Sequence, residues 1–67
     1  MTPRYEIRLA QPLSQTARAA FPELKQGESL GGDLLYGPVK NQEQLHSLLA
    51  RIQTMGLTVT ELRQLPD

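Results

Sequence analysis

The stretch Asn41-Gln42-Glu43-Gln44-Leu45-His46-Ser47-Leu48-Leu49-Ala50-Arg51-Ile52-Gln53-Thr54-Met55-Gly56-Leu57 decides how the chain is read. Leu45, Leu48, Leu49, Ile52 and Met55 recur at offsets of three and four, which makes one continuous apolar stripe along an α-helix. Asn41 can cap the amides ahead of it, and Gln44, three residues on, can reach back as in a capping box. Gly56 stands where a left-handed residue ends a helix, with Leu57 placed to fold back on the last turn. The spacing predicts a helix opened by Asn41 and running to about Met55. A helix this one-sided must lay its stripe on something.

The flanking segments supply strands. Leu57-Thr58-Val59-Thr60-Glu61-Leu62 is rich in β-branched residues. Its alternation slips between Val59 and Leu62, which allows either a bulge or apolar groups on both faces. Upstream, Asp33-Leu34-Leu35-Tyr36-Gly37 reads as a strand ended by Gly37-Pro38, with Gly31-Gly32 before it as a hairpin turn. Residues 23–32 are polar and glycine-rich, so any strand among them is short and lies at an edge. Ser14 caps a second helix of about two turns, because Leu13, Ala17, Ala20, Phe21 and Leu24 share helical spacing and Pro22 halts it near Phe21. At the start, Tyr5, Ile7 and Leu9 alternate with Glu6 and Arg8, the period of a half-buried strand. The order is βαββαβ. Right-handed crossovers put both helices on one face, which predicts an α+β, ferredoxin-like two-layer sandwich with a four-stranded antiparallel sheet, forming one domain over residues 1–67.

Composition narrows the function classes. A 67-residue chain buries only about 60% of the surface its unfolded form exposes. Its core supplies rarely more than about 3–5 kcal/mol, and small domains usually add a disulfide, a metal or a partner subunit. The sequence has no cysteine, which removes disulfides and thiolate zinc sites. Seven basic residues balance seven acidic ones, so no polyanion partner is indicated. No leader pattern or membrane-length apolar run is present. The expectation is a cytoplasmic protein that forms a homo-oligomer, a dimer in the first instance.

The helix-free face of the sheet is the candidate interaction surface. If Ile7 and Leu9 point toward the helices, Glu6 and Arg8 point away. Leu35 shares parity with Val39, which places Leu35 inside and Leu34 and Tyr36 outside. Glu6, Arg8, Leu34 and Tyr36 therefore form the predicted interaction face. A nucleic-acid platform needs two or more aromatics flanked by positive charge. Only Tyr36 qualifies, so this reading disfavours nucleic acid as a ligand class.

Two motifs suggest chemistry and fail on context. Gly27-Glu28-Ser29-Leu30-Gly31 matches G-x-S-x-G, and Asp33 and His46 follow in hydrolase order. However, an elbow needs a helix after the serine, and here glycines lead into a strand. Glu43 and His46 form an E-x-x-H pair, but di-iron bundles need two such copies and further carboxylates. No metal or other cofactor is expected, and the chain reads as a non-enzyme. Arg4, Arg8, Arg18, Arg51 and Arg63 are spread over four elements as a solvated surface. His46 borders the apolar stripe, where it is expected to bond a nearby backbone or hydroxyl group. It is the candidate polar or pH-sensitive site, since histidine ordinarily titrates near neutrality.

The run from Leu35 through Gly37-Pro38-Val39, Asn41-Gln42, Leu45-His46, Leu48-Leu49 and Arg51-Ile52 resembles a family of very short, uncharacterised bacterial proteins, mainly actinobacterial. That family carries Leu-x-Gly-Pro-Val, an Asp-Gln or Asn-Gln helix start, Leu-His, a double leucine and an Arg-Ile pair. Its Leu-Gly-Leu helix end is Met55-Gly56-Leu57 here, and the Tyr5-Glu6-Ile7-Arg8 opening is similar. The resemblance covers most of the chain outside residues 23–33. It implies a small α/β sandwich with no activity to transfer. The leading expectation is a self-associating protein-interaction module, and the alternative is a small-molecule-binding or regulatory sensor.

Overall fold

A computed structural model describes residues 2–29 and 32–66. They form β1 (Arg4–Leu9), α1 (Gln15–Ala19), β2 (Lys25–Ser29), β3 (Gly32–Pro38), α2 (Gln42–Thr54) and β4 (Val59–Leu65). The strands make one antiparallel sheet in the order β2-β3-β1-β4. The chain is thus an α+β sandwich of the expected class, with strand order and helices compatible with a ferredoxin-like arrangement.

The long helix forms where its caps put it. Asn41 Oδ1 accepts the Gln44 amide at 2.8 Å, and the Gln44 side chain accepts the Lys40 amide at 2.6 Å. The reciprocal bond therefore lands one residue outside the cap position. At the other end Gly56 adopts φ 77°, and its amide donates to Gln53 O while that of Leu57 donates to Ile52 O. These are the two bonds of a Schellman ending, and a side chain at Gly56 would be strained in that conformation.

Helix α1 is shorter than the expected two turns. Ser14 Oγ accepts the Ala17 amide at 3.1 Å, and the helix stops after five residues, ahead of the restriction that Pro22 places on Phe21. Phe21 itself is completely buried. Ile7, Leu9 and Leu35 from the sheet join Leu13, Ala17, Phe21, Leu24, Val39, Leu45, Leu48 and Ile52 in one core. Leu49 and Met55 only border it.

Three boundaries differ from the sequence reading. Gly32 belongs to β3, opposite Ser29, so it is not a turn residue; Gly31 lies outside the described residues. Asp33, in the strand as expected, is buried, and its carboxylate accepts the Leu13 amide at 2.8 Å. This bond fixes the entry to α1 and gives a buried carboxylate the partner it needs. The strand also continues through Gly37 to Pro38, which lies opposite Arg4. The last strand starts at Val59, later than expected, and runs to Leu65. Of the two alternatives left open by its pattern, the bulge is the one present: Arg8 faces Glu61, yet Leu9 faces Val59, leaving Thr60 as the extra residue. The bulge lets Val59 and Leu62, an odd number of residues apart, both face the helix layer.

Core truncation distinguishes the adjacent leucines. Leu48 is fully buried, so Leu48→Ala is expected to cost about 2–5 kcal/mol. Leu49→Ala should cost clearly less, as chemical denaturation of both variants would establish. At Gly32 an added Cβ would collide with the Leu9 carbonyl oxygen. Gly32→Ala must therefore displace backbone, and a loss of about 1–3 kcal/mol is expected by the same measurement.

Candidate functional site

The register assembles the open face in rows. One row carries Lys25, Tyr36, Glu6 and Arg63; the next carries Gly27, Leu34, Arg8 and Glu61. Because side chains alternate across a strand, each row shares a face. Their neighbours Ile7 and Leu35 are buried against the helices, which leaves these rows on the other side. The four residues Glu6, Arg8, Leu34 and Tyr36 are brought together there, all half-buried. Gly27 matters by its missing side chain. A Cβ at that point would lie 3.3 Å from Leu34 Cδ1 and 3.5 Å from the Tyr36 ring, so leucine and tyrosine spread over bare backbone as a low apolar shelf.

The other half of the face is ionic. Glu6 Oε1 accepts Arg8 Nε–H at 2.8 Å, and Glu6 Oε2 accepts Arg63 Nη2–H at 3.2 Å. Arg8 Nε also lies 3.6 Å from Glu61. Glu6 is the hub, its side chain only 12% exposed, whereas those of Arg8 and Glu61 remain 43% and 52% exposed. The Arg8 hydrogen bond is the main cause that holds the Glu6 carboxyl below its ordinary value, helped by Arg63 and opposed by partial desolvation. The same bond raises the Arg8 guanidinium.

Arg8 and Arg63 are therefore not part of a scattered solvated surface. The signal was present as two copies of one triplet, Glu6-Ile7-Arg8 and Glu61-Leu62-Arg63. Antiparallel pairing of Glu-x-Arg with itself puts each acid opposite a base. Arg51 is not a free surface charge either. Its guanidinium donates to Ala20 O at 2.7 Å and to Glu23 at 3.0 Å, and it stacks 5.3 Å from the Phe21 ring centroid. It ties the end of α1 to α2.

A second feature lies on the helix side, between α2 and β4. A groove of about 640 Å³ is lined by His46, Leu49, Ala50 and Gln53 of α2, by Leu57 and Thr58, and by Val59 and Leu62 of β4. Leu62 faces Ile7 across the ladder yet remains 40% exposed, because α2 does not reach over it. His46 is exposed and, among the described residues, makes no hydrogen bond. The expected backbone or hydroxyl partner for it is not found there; its imidazole borders the groove instead.

The hydrolase pattern is not assembled. Ser29 ends β2 and pairs into β3 rather than leading into a helix, and Asp33 is committed to the Leu13 amide. The Ser29 side chain, Leu30 and Gly31 lie outside the described residues. Glu43 and His46 are both exposed on α2, and no group of three or more metal-ligating side chains occurs among the described residues. No helix among them is long and apolar enough to cross a membrane.

A family model described as a domain of unknown function (DUF8691) matches residues 4–63. No curated protein and no solved structure matches the chain.

The Glu6 hub predicts an acid dependence. A carboxyl whose folded pKa lies below its ordinary value of 4.5 contributes stability that is present above that value. The contribution is lost as pH falls through the lowered folded pKa. Glu6→Gln should therefore lower the melting temperature at neutral pH, with the gap to wild type closing in acid. A gap unchanged from neutral to acid pH would show that ionisation of Glu6 contributes nothing.

Proposed function

The chain belongs to this family of unknown function, and we propose that it is a non-enzymatic module that associates with copies of itself through the open sheet face. The observation that carries the reading is the shelf of Leu34 and Tyr36, half-exposed over Gly27 on a central strand. A two-fold contact places a patch against its own copy. The shelf then meets its counterpart, with the Glu6–Arg8–Glu61 cluster, already paired within each chain, as its charged border. A stable pair buries roughly 800 Å² per partner, the kind of stabilisation a core this small lacks.

Several features favour this over other classes. Tyr5 shares parity with the buried Ile7, so Tyr36 stands alone as a stacking aromatic between Lys25 and Glu6, and a single aromatic is poorly suited to single-stranded nucleic acid. Non-enzymatic action is supported by the commitment of Asp33 and by the strand context of Ser29. A cytoplasmic setting and a bacterial, mainly actinobacterial, origin belong to the same proposal, the latter on the resemblance of residues 35–52. One observation favours a second reading, a small-molecule sensor: the α2–β4 groove combines apolar walls with one imidazole, as ligand sites often do. A ligand that fills it would raise the melting temperature in proportion to the logarithm of its concentration.

Sedimentation of wild type and Tyr36→Glu over a range of concentrations tests the leading reading. Wild type is expected to dimerise by about 100 μM, within the range in which transient pairs form. Tyr36→Glu should stay folded and associate at least about tenfold more weakly than wild type. A monomeric wild type, or a folded Tyr36→Glu variant that associates as before, refutes the open-face contact.

A further inference from the structure

We propose that the free edge of β4 pairs antiparallel with β4 of a second copy, about a two-fold axis at Leu62, joining two sheets into one. This inference stands on the β4 edge and not on the open face. Strand β4 pairs with β1 on one side and, among the described residues, has no neighbour on the other. Exposed edges are normally blunted by short length, proline, charged side chains (lysine above all) or a bulge. The other edge strand, β2, is five residues long and includes Lys25. Strand β4 runs for seven residues, Val-Thr-Glu-Leu-Arg-Gln-Leu, with neither proline nor lysine, and its one bulge falls at Thr60, before the central triplet.

The occupant is identified by chemical symmetry. In an antiparallel pair centred on Leu62, Glu61 of each copy faces Arg63 of the other, and Thr60 faces Gln64. The chain already makes this match internally: β4 receives Glu6-Ile7-Arg8 with Glu6 opposite Arg63, Ile7 opposite Leu62 and Arg8 opposite Glu61. A second β4 offers Glu-Leu-Arg, the same triplet, to the side that β1 leaves unpaired. On the open face the charges then alternate across the axis, from Glu6 to Arg63, to Glu61 of the second copy, to its Arg8. On the helix side the two Leu62 side chains meet at the mouth of the groove between α2 and β4, where each is otherwise 40% exposed. Main-chain bonds along the edge supply affinity, and the charge pairs select antiparallel register and like partner.

The symmetry makes the test specific. Glu61→Arg alone sets a new guanidinium against Arg63 of the other copy at both ends of the axis. Arg63→Glu alone sets a new carboxylate against Glu61 in the same way. Like charges directly opposite weaken a strand pair. Each variant, confirmed folded by circular dichroism, should self-associate at least about tenfold more weakly than wild type. An equimolar mixture restores opposite charges at both ends and should form a one-to-one heterodimer by sedimentation. Amide exchange over residues 61–64 should slow only in the mixture and in concentrated wild type, which locates the contact at the edge; a contact across the open face leaves those amides accessible. Should either charge variant fail to fold, Leu62→Lys, altered on the helix side and already exposed, serves instead. It should abolish the concentration-dependent protection of β4 and leave the response to Tyr36→Glu unchanged. A mixture that sediments and exchanges like its separate components overturns the proposal, as does a Leu62→Lys variant with wild-type protection.

Discussion

Two helices, five and thirteen residues long, must cover one face of four strands, and the rest of the structure depends on how far they reach. Strands lie about 4.8 Å apart and a helix with its side chains is about 10 Å across, so two full helices would suffice. Helix α1 is too short to be one. It is held beside β2 and β3, through Gln26 to Arg18 O and Asp33 to the Leu13 amide. The margin over β4 is left to α2 alone. The complete burial of Leu35, Leu48, Ile52 and Phe21 and the incomplete cover of Leu62 are consequences of the same layer.

That geometry leaves the molecule with two incompletely covered regions of different character. The open face is apolar on β3 and ionic across β1 and β4, whereas the β4 margin is apolar on the helix side with a backbone edge that no described strand covers. The ion pairs joining Glu6, Arg8, Glu61 and Arg63 share a poorly exposed Glu6 but leave the other three side chains about half exposed. Pairs open to solvent in this way add little to stability, so they are better suited to fixing which strand lies opposite which than to holding the fold together. Burial of the aliphatic core does the latter. So small a core and two incompletely covered surfaces are the features on which the proposal of self-association rests.

Much of this was legible in the chain. Periodicity located both helices and β1, turn residues and β-branched content marked β3 and β4, and β2 was legible only as a short edge strand somewhere in residues 23–32; caps at Ser14, Asn41 and Gly56 are made with the side chains and bonds that their residue types suggest. Parity put Ile7, Leu9 and Leu35 inside and gathered Glu6, Arg8, Leu34 and Tyr36 on one face. The slip between Val59 and Leu62 became a bulge. Less legible were features made by contact between distant segments: the bond from the Leu13 amide to Asp33, the Arg51 bridge to Ala20 and Glu23, and the meeting of Glu61 and Arg63 with Glu6 and Arg8. Local pattern carries no distance information between segments far apart in the chain, so these charges read as scattered until strand register aligned them.

The sequence by itself determined element order, the caps and the inward parity of β1 and β3, because these follow from spacing of 2 or 3.6 residues and from side chains bonding their own backbone neighbours. Only the tertiary structure decided that Asp33 is a buried anchor, that His46 borders a groove, and that Leu62 is left at a margin. Each depends on how far a helix extends over a sheet and on which strand lies last in it. Those are properties of packed layers, and no single segment carries them.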